Sequence, residues 1–362
     1  MLNTLAGRDP DKLAPRHIAG ATGPPEGEYD ADVVILSLDR AEETLAAIRS
    51  ALAQCGMSRH VFVVDQGSRP EALARLAAEI AWRQDATLVA LDCNHGVAGG
   101  RNRGSSLGHG RVIFGLDNDA EFADATTLAR AVAALDEDRT LAAIGCRILL
   151  HACDTDDLSS WGYPSSLLPR AGESFDTVTF VGAGHAIRRA AWDAYDEALF
   201  FCWEEFDFCL RAIEHGWRIR YRGDIAVRHK VSPEQRVTWS GTRWFHFVRN
   251  RLYIERKWGA AWPALLPRLA FYLIKGARNH VLMQTMHATL AVIRLSSRVT
   301  ARRHSPAARQ YLRLNDAAYR GHRMTMLWRA CRDGFRCSET HQPGSPLPAA
   351  PAATSGRSAD CR

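Results

Sequence analysis

The sequence predicts an α/β domain on a mostly parallel sheet, followed by a basic helical extension. Four apolar runs of strand length are each followed by a polar break: residues 32–36, 61–64, 87–91 and 112–114. Segments with helical periodicity lie between the runs, and this alternation is typical of parallel strands joined by helices. Because ligands of such sheets bind beyond the carboxyl ends of the strands, we expect a site where the polar breaks lie.

The segments between these runs carry residues that are typical of helix starts and loops. Asp39 and Glu42 resemble a helix start after the first run, and helical periodicity continues to about residue 54. Pro70 opens the second helix. Residues 94–100 are rich in glycine and are predicted to form a loop.

The middle of the chain departs from the βα rhythm. Residues 204–211 are predicted to be helical, with Gly216 as the stop signal. The other predicted elements are a strand at 141–149, a loop at 151–172, a glycine-interrupted strand at 180–187 and two short strands at 219–221 and 225–229.

Charge is distributed unevenly along the 362 residues. The net charge is +6, but residues 243–332 hold 18 Lys or Arg against two acids, so the preceding residues 1–242 carry a net −10. A basic segment after an acidic body predicts an anionic partner, which leaves a membrane surface, a lipid-linked phosphate or a nucleic acid as alternatives.

The two ends and the basic segment lack the features of exported or membrane-spanning chains. Residues 1–28 have no apolar run and are expected to be a flexible leader, while residues 336–362 are expected to be disordered. Residues 260–277 are too interrupted, and residues 281–295 too short, to span a bilayer. We expect interfacial helices there, with a basic subdomain packed on the catalytic domain as the alternative. The nine scattered cysteines favour reduced, cytosolic thiols.

Asp117 and Asp119 stand at the end of the fourth apolar run. In extended backbone, residues two apart point to the same side, so both carboxylates can hold one divalent ion together with a diphosphate. The alternative is an ordinary turn at a strand end, in which Asp is common.

The order of these motifs resembles the inverting family 2 glycosyltransferases, which have the GT-A fold. The matching pieces are Ser37-Leu38-Asp39-Arg40, Val64-Asp65-Gln66-Gly67-Ser68, residues 94–104, Asp117-Asn118-Asp119, Glu204-Glu205-Phe206-Asp207, Gly216-Trp217-Arg218-Ile219 and Val227-Arg228-His229. The resemblance covers residues 32–258 and implies a GT-A catalytic domain over 29–258. The charge and apolar patterns predict a basic helical region after it, at 259–335. Arg249-Asn250-Arg251 and Lys257-Trp258 resemble the end of bacterial rhamnosyltransferase-like members, which build cell-surface polysaccharides.

The resemblance implies a site for Mn²⁺ or Mg²⁺. Asp119 corresponds to the direct ligand, and Asp117 to a contact with the ribose or with the water shell of the ion. His229 resembles the third metal contact of the family. The alternative for His229 is a hydrogen-bonded histidine at a strand end. Such an ion stabilises the negative charge that develops on a diphosphate leaving group.

The resemblance also assigns donor contacts to Ser37, Asp39, Asp65 and Arg101. Asp65 would accept the N–H of a uracil or thymine base, with a turn-capping aspartate as the alternative. Arg101 would lie along the nucleotide, with a solvated arginine in the first turn of a helix as the alternative. The implied donor is a UDP- or dTDP-sugar.

Inversion requires a general base that takes the proton from the acceptor hydroxyl. Glu205 fits the base position of the family, and Glu204 is expected to contact donor or acceptor hydroxyls. Asp207 lies four residues before Arg211, so the two can pair on one helix face and Asp207 is expected to be structural. The alternative for all three acids is an acid-rich helix N-terminus that the helix dipole favours.

Two positions depart from the family pattern: Gln66 in the second motif and His185 where an apolar residue is common. The acidic pair, which usually reads Glu-Asp or Glu-Glu, is Glu204-Glu205. The expected protein transfers sugar to a saccharide or lipid-linked acceptor, in the cytoplasm and peripherally on the inner face of the plasma membrane. The alternatives are a sugar nucleotidyltransferase and a non-enzymatic nucleic-acid-binding protein. The first would need a glycine- and lysine-rich loop after the first strand, and the second would need a nucleic-acid-binding module. The sequence has neither, so no nucleic acid is expected.

Overall fold

The computed structural model describes residues 14–230, 241–297 and 299–320. Its ten strands are β1 Arg16–Gly20, β2 Ala31–Ser37, β3 Arg59–Asp65, β4 Ala86–Ala90, β5 Val112–Leu116, β6 Ala120–Phe122, β7 Leu141–Leu150, β8 Ser174–Thr177, β9 Gly184–Arg188 and β10 Arg218–His229. The helices are α1 Ala41–Leu52, α2 Pro70–Ile80, α3 Gly96–Leu107, α4 Thr127–Glu137, α5 Glu204–Glu214, α6 Gly241–Lys257, α7 Trp262–Arg278, α8 Leu282–Ser296, α9 Pro306–Leu312 and α10 Ala318–Arg320. A π-helical turn, Arg313–Ala317, joins α9 to α10.

All ten strands form one sheet, in the order β1-β4-β3-β2-β5-β9-β7-β10-β6, with β8 paired to β10. Strands β2, β3, β4 and β5 are parallel, and β7 is parallel to β10. Because β9 is antiparallel to both β5 and β7, these two run in the same direction. Six strands therefore share one direction, which confirms the predicted α/β fold with a mostly parallel central sheet.

Helices cover both faces of the sheet, and each face has its own apolar core. On one face α1, α2 and α4 bury residues such as Ile48, Leu76 and Leu128. On the other face α3, α5 and α9 bury residues such as Ala98 and Phe208. Strands that are covered on both sides read as continuous apolar runs, which is why the sequence shows them so clearly.

The predicted glycine loop at 94–100 is wrong, because most of it belongs to α3. Gly96 adopts φ +74° at the start of this helix. Gly104 faces the sheet, where an added Cβ would lie 2.5 Å from Val34 and 3.0 Å from Val64. Glycine has poor intrinsic helix propensity, but here it lets a helix approach two strands closely, so packing overrides propensity.

Two strand predictions also need correction. The predicted short strands at 219–221 and 225–229 are one strand, β10, whose pairing with β7 shifts register between Arg222 and Ala226. Such an irregularity lets one strand continue past a local break in pairing. The predicted strand at 180–187 is shorter, since β9 begins at Gly184.

The flexible leader predicted for residues 1–28 is wrong for part of its length, since residues 16–20 form β1. This strand pairs antiparallel with β4 at the edge of the sheet. Residues 1–13 lie outside the described residues, as does the whole tail predicted to be disordered at 336–362.

The C-terminal helices are built into the body of the protein. Helix α6 shares an apolar core with α7 and α8, in which Trp244, Tyr272 and Ala288 are buried. Helix α9 returns to the sheet, where the Tyr311 hydroxyl contacts both the N–H and the C=O of Ile219 at 3.0 Å. The packing is therefore continuous across the boundary expected near residue 258.

Candidate functional site

A cleft of about 590 Å³ opens at the carboxyl ends of β2, β3, β5 and β10. This is the edge at which ligands of α/β sheets bind. Its lining combines strand-end residues with residues from the connecting segments and from helices α3 and α6: Leu36, Ser37, Leu38, Arg40, Gln66, Asn94, Gly96, Val97, Asp117, Asn118, Asp119, Ser159, Ser160, Phe200, Phe201, His229, Lys230 and Arg243.

Asp117, Asp119 and His229 come together in this cleft. One ligand atom from each lies within 4.8 Å of the other two. The two aspartates follow β5 and the histidine ends β10, so two strands that are distant in sequence bring the group together. Two carboxylates and an imidazole suit Mn²⁺, and the oxygen ligands also suit Mg²⁺. The donor set therefore fits a divalent ion.

His229 lies between two carboxylates. Its Nε2 is 3.3 Å from Oδ1 of Asp119, and its Nδ1 is 3.1 Å from Oδ2 of Asp157. Burial lowers the pKa of His229, but the hydrogen bonds to the two aspartates outweigh burial and raise this pKa to about 9. Asp157 thus fixes the ring so that Nε2 faces Asp119, which is how an outer carboxylate orients a metal-binding histidine.

Asp119 also receives a hydrogen bond from a neighbouring cation. Nη1 of Arg40 donates to Oδ2 of Asp119 at 2.7 Å. Burial raises the pKa of Asp119, but its contacts with His229 and Arg40 prevail and lower it. The carboxylate is therefore held in the ionised form that binds a cation.

Arg101 connects Asp117 with the acidic helix α5. Its guanidinium donates to Asp117 at 2.7 Å, to Glu205 at 3.1 Å and to the carbonyl oxygen of Gly182 at 2.7 Å. The side chain is 3% exposed. The position of Arg101 therefore differs from that of the solvated arginine considered as an alternative. It lies beneath the site and joins two of the predicted carboxylates.

Glu204 and Glu205 are adjacent acids at the start of α5. Burial raises the pKa of Glu205, although the charge of Arg101 works in the opposite direction. Burial also raises the pKa of Glu204, and the charge of Glu205 adds to this rise. Among the described residues, Oε2 of Glu204 is buried without a hydrogen-bond partner. A raised pKa brings a carboxylate closer to the range useful for proton transfer near neutral pH.

Asp207 has a different environment from the two glutamates. Its side chain is fully buried, and Oδ2 accepts from Nε of Arg211 at 3.1 Å and from Nζ of Lys257 at 2.9 Å. The predicted pairing with Arg211 is confirmed, while the contact with Lys257, from helix α6, was not anticipated. Two cations thus hold Asp207 inside the protein.

The predicted donor contacts occupy different positions. Ser37 lines the cleft. Asp39 adopts φ +61°, and its carboxylate accepts from the backbone N–H of Arg69 at 2.8 Å, beside the start of α2. The carboxylate of Asp65 is buried and accepts from the backbone N–H groups of Gly67 and Ser68, at 3.1 and 3.0 Å. These contacts agree with the turn-capping alternative for Asp65, and the nucleotide contacts of both aspartates stay predictions.

His185, noted as a departure from the family pattern, lies in the centre of the sheet. It stacks on Phe180 with ring centroids 4.4 Å apart, and Nε2 is 3.1 Å from the Tyr195 hydroxyl. An added Cβ at Gly115 would lie 2.3 Å from this imidazole, so the glycine makes room for it. His185 is therefore a packed core residue.

Sequence reasoning missed several cleft residues. Arg40 and Lys230 line the cleft beside the two aspartates, where Arg40 pairs with Asp119 and Lys230 with Glu121. Arg40 belongs to the first motif and Lys230 follows His229 directly, so an inspection of the motifs could have identified both. Phe200 and Phe201 come from the loop before α5, and their sequence carried no signal for the cleft.

Comparison with known proteins gives a consistent result. Residues 32–195 match the family model described as "Glycosyl transferase family 2". Over 90 residues the chain is 40% identical to the succinoglycan biosynthesis protein ExoO of Rhizobium meliloti (strain 1021). This alignment covers 25% of each protein, so the chain matches only a quarter of the length of that curated relative.

Two solved structures share the fold at low sequence identity. The structure of GalNAc-T7 with UDP, GalNAc and Mn²⁺ aligns with a TM-score of 0.54 and 16% identity, over 73% of this chain and 55% of that chain. The structure of residues 1–349 of TarS from S. aureus aligns with a TM-score of 0.50 and 18% identity, over 85% of this chain and 93% of that chain.

Proposed function

Since residues 32–195 match the family model described as "Glycosyl transferase family 2", we propose that this chain belongs to that family and is an inverting, metal-dependent glycosyltransferase. Its donor is a nucleotide-diphosphate sugar, of the UDP or dTDP class, and its acceptor is a saccharide or a lipid-linked saccharide of a bacterial surface polysaccharide. The observation that carries the proposal is the group Asp117, Asp119 and His229 in a cleft at the strand ends. The related ExoO is a succinoglycan biosynthesis protein, which supports the pathway class.

The residues of the cleft suit a nucleotide diphosphate. Asp119, Asp117 and His229 would hold Mn²⁺ or Mg²⁺, which acts as a Lewis acid and stabilises negative charge on the leaving diphosphate. Arg40, which pairs with Asp119, and Lys230, which pairs with Glu121, line the same cleft and would supply positive charge to the phosphates. GalNAc-T7, which shares the fold, was solved with UDP and Mn²⁺, and this supports the same ligand class here.

Glu205 is the proposed general base. Its carboxylate is linked through Arg101 to Asp117, so it lies one guanidinium away from the metal group. Burial raises its pKa, which increases its basicity toward an acceptor hydroxyl. Asp207 is held by Arg211 and Lys257, which supports a structural role for it.

The decisive experiment is a thermal-shift screen with UDP, dTDP and GDP, each with and without Mn²⁺ or Mg²⁺. We expect a rise in melting temperature with UDP or dTDP that requires the metal, because a ligand that binds only the folded state stabilises it. Equal shifts with and without metal would contradict metal-dependent donor binding. A donor found in this way then allows the anomeric configuration of the product to be determined by NMR, and retention would rule out the inverting mechanism.

We further propose that α7 and α8 lie peripherally on an anionic membrane surface. Large apolar side chains on these helices are exposed: Trp262, Leu266, Ile274, Leu282, Met283, Met286, Leu290 and Ile293. The sequence has no acid between Glu255 and Asp316, so the cations of this region complement anionic headgroups. Within residues 14–230, 241–297 and 299–320, no helix is long and apolar enough to cross a bilayer.

Vesicle sedimentation tests this surface. We expect binding to vesicles that contain anionic lipid, release as salt rises, and weaker binding of Leu290→Glu, because a carboxylate opposes both apolar and electrostatic contact. Trp82→Glu is the matched control, since Trp82 is 92% exposed and follows α2 on the catalytic body. Equal binding to neutral and anionic vesicles, or equal losses in both variants, would refute the proposal.

A further inference from the structure

The segment before α5 has unusual backbone geometry. Phe200, Cys202 and Trp203 adopt φ values of +61°, +70° and +73°, in the left-handed region that non-glycine residues seldom occupy. Such conformations persist only where the surrounding structure holds them, and they cluster at functional sites. This segment supplies Phe200 and Phe201 to the cleft and leads directly into Glu204.

One face of helix α6 holds this segment. Nδ2 of Asn250 contacts the carbonyl oxygens of Leu199, Phe201 and Cys202 at 2.7, 2.8 and 2.8 Å. Asn250 is fully buried, so no solvent competes for these bonds. Each carbonyl oxygen belongs to the segment with left-handed residues, so one amide group fixes the backbone path of this segment.

Three further residues of α6 contact the same segment or the residues on either side of it. Nη2 of Arg249 donates to the carbonyl oxygens of residues 198 and 199 at 2.7 and 2.8 Å, and its Nε donates to Oδ1 of Asn250 at 2.8 Å. Nζ of Lys257 lies 2.8 Å from Asp196 and 2.9 Å from Asp207. The hydroxyl of Tyr253 donates to Asp196 at 3.2 Å. The four residues are spaced as one face of a helix.

The geometry points to Arg249, Asn250 and Lys257 as positioning residues for the proposed transfer reaction. They act through residues 196–207, which they hold at both ends, so that Glu204 and Glu205 start α5 beside Arg101 while Phe200 and Phe201 face the donor. The inference rests on the proposed function and adds that the basic C-terminal region completes the catalytic domain.

The segment held by α6 also contacts the opposite wall of the cleft. The carbonyl oxygen of Phe200 accepts from the backbone N–H of Val97 at 2.6 Å, at the start of α3. Gly96 passes so close that an added Cβ would lie 2.2 Å from this oxygen. Displacement of the segment would therefore shift residues in both walls of the cleft.

Asn250→Asp is the test variant, because it keeps the shape and removes the N–H donors that face three carbonyl oxygens. Asn279→Asp is the matched control, since Asn279 is exposed and its Nδ2 donates to a single carbonyl oxygen of α7. Lys257→Gln, which removes the contacts with Asp196 and Asp207, serves as a second variant if Asn250→Asp does not fold.

Three readouts are measured on the full chain. Hydrogen exchange should accelerate in residues 196–207 and at the amides of residues 97 and 98 in Asn250→Asp. Release of nucleoside diphosphate from the nucleotide-sugar donor, per nucleotide-binding site, should fall by about 10–100-fold, since small misplacement of catalytic groups has effects of this size. The dissociation constant for nucleotide with Mn²⁺ should rise by less than turnover falls, since Phe200 and Phe201 line the donor cleft but the metal group lies on other elements. Asn279→Asp should match the wild type in all three.

The outcomes separate the inference from the function on which it rests. Turnover that stays within threefold of wild type, or that falls without faster exchange in residues 196–207, overturns the positioning role. A uniform rise in exchange across the chain, with turnover per binding site unchanged, assigns these residues to stability and also overturns it. If the wild type releases no nucleoside diphosphate from any donor, the proposed function fails, while the exchange data still decide whether α6 holds the segment.

Discussion

The two walls of the cleft are built by different means. The first wall, called the nucleotide wall because the proposed function assigns the nucleotide to it, consists of short polar motifs that directly follow β2, β3 and β5, or that end β10. The second wall, called the acidic wall here because it leads into Glu204 and Glu205 of α5, presents Phe200 and Phe201 of the strained segment to the cleft. Contacts from α6, some 50 residues later in the chain, hold it in place. The comparison teaches that a strand end places its side chains through the sheet, whereas an irregular segment depends on a distant helix.

Asp119→Ala should produce the largest effect and should damage the nucleotide wall alone. It removes an ionised ligand from a group of three, so we expect loss of metal-dependent nucleotide binding and a fall in turnover of about 10³-fold or more. Calorimetry with nucleotide and Mn²⁺, together with a donor-turnover assay, measures both quantities. Near-normal turnover in this variant would show that the aspartates form an ordinary turn.

Glu205→Gln should affect the acidic wall while leaving the nucleotide wall intact. The substitution keeps the size of the side chain and removes its basicity, so turnover should fall by about 10²–10⁴-fold. Nucleotide affinity in the presence of metal should equal that of the wild type, because Glu205 lies behind Arg101 rather than in the metal group. An active Glu205→Gln would assign the base to another residue.

Asp207→Asn should have the smallest effect on rate and should act on stability. The buried carboxylate accepts from both Arg211 and Lys257, and weakening these contacts should cost about 1–3 kcal/mol of folding free energy. We expect a lower melting temperature and a smaller loss of turnover than in Glu205→Gln. A variant that is as stable as wild type yet inactive would identify Asp207 as the base.

The sequence predicted the nucleotide wall well because its signals are local. Buried parallel strands read as apolar runs, and the residues that follow them face the ligand edge, so Asp117, Asp119 and Ser37 were found without knowledge of packing. His229 could be predicted as a site residue because it ends a strand. Arg40 lies within a recognised motif but was passed over, since its contact with Asp119 joins positions 79 residues apart.

The acidic wall could be predicted only in part. The spacing of Asp207 and Arg211 gave their ion pair, because a helix turn brings such positions together. The contact between Lys257 and Asp207 depends on how α6 packs, and the left-handed conformations of Phe200, Cys202 and Trp203 have no signal in residue type. The glycines of α3 were misread for the same reason, since Gly104 is explained by its contact with Val34.

Strand β1 has a consequence for shortened versions of this protein. It supplies the outer hydrogen-bonding partner of β4, with His17 opposite Val89 and Gly20 opposite Thr87. A chain that begins at Tyr29 would leave one side of β4 unpaired, and an open strand edge readily recruits a second chain. In the full chain, β1 covers this edge of β4. Removing the first 28 residues would therefore expose the edge and favour self-association.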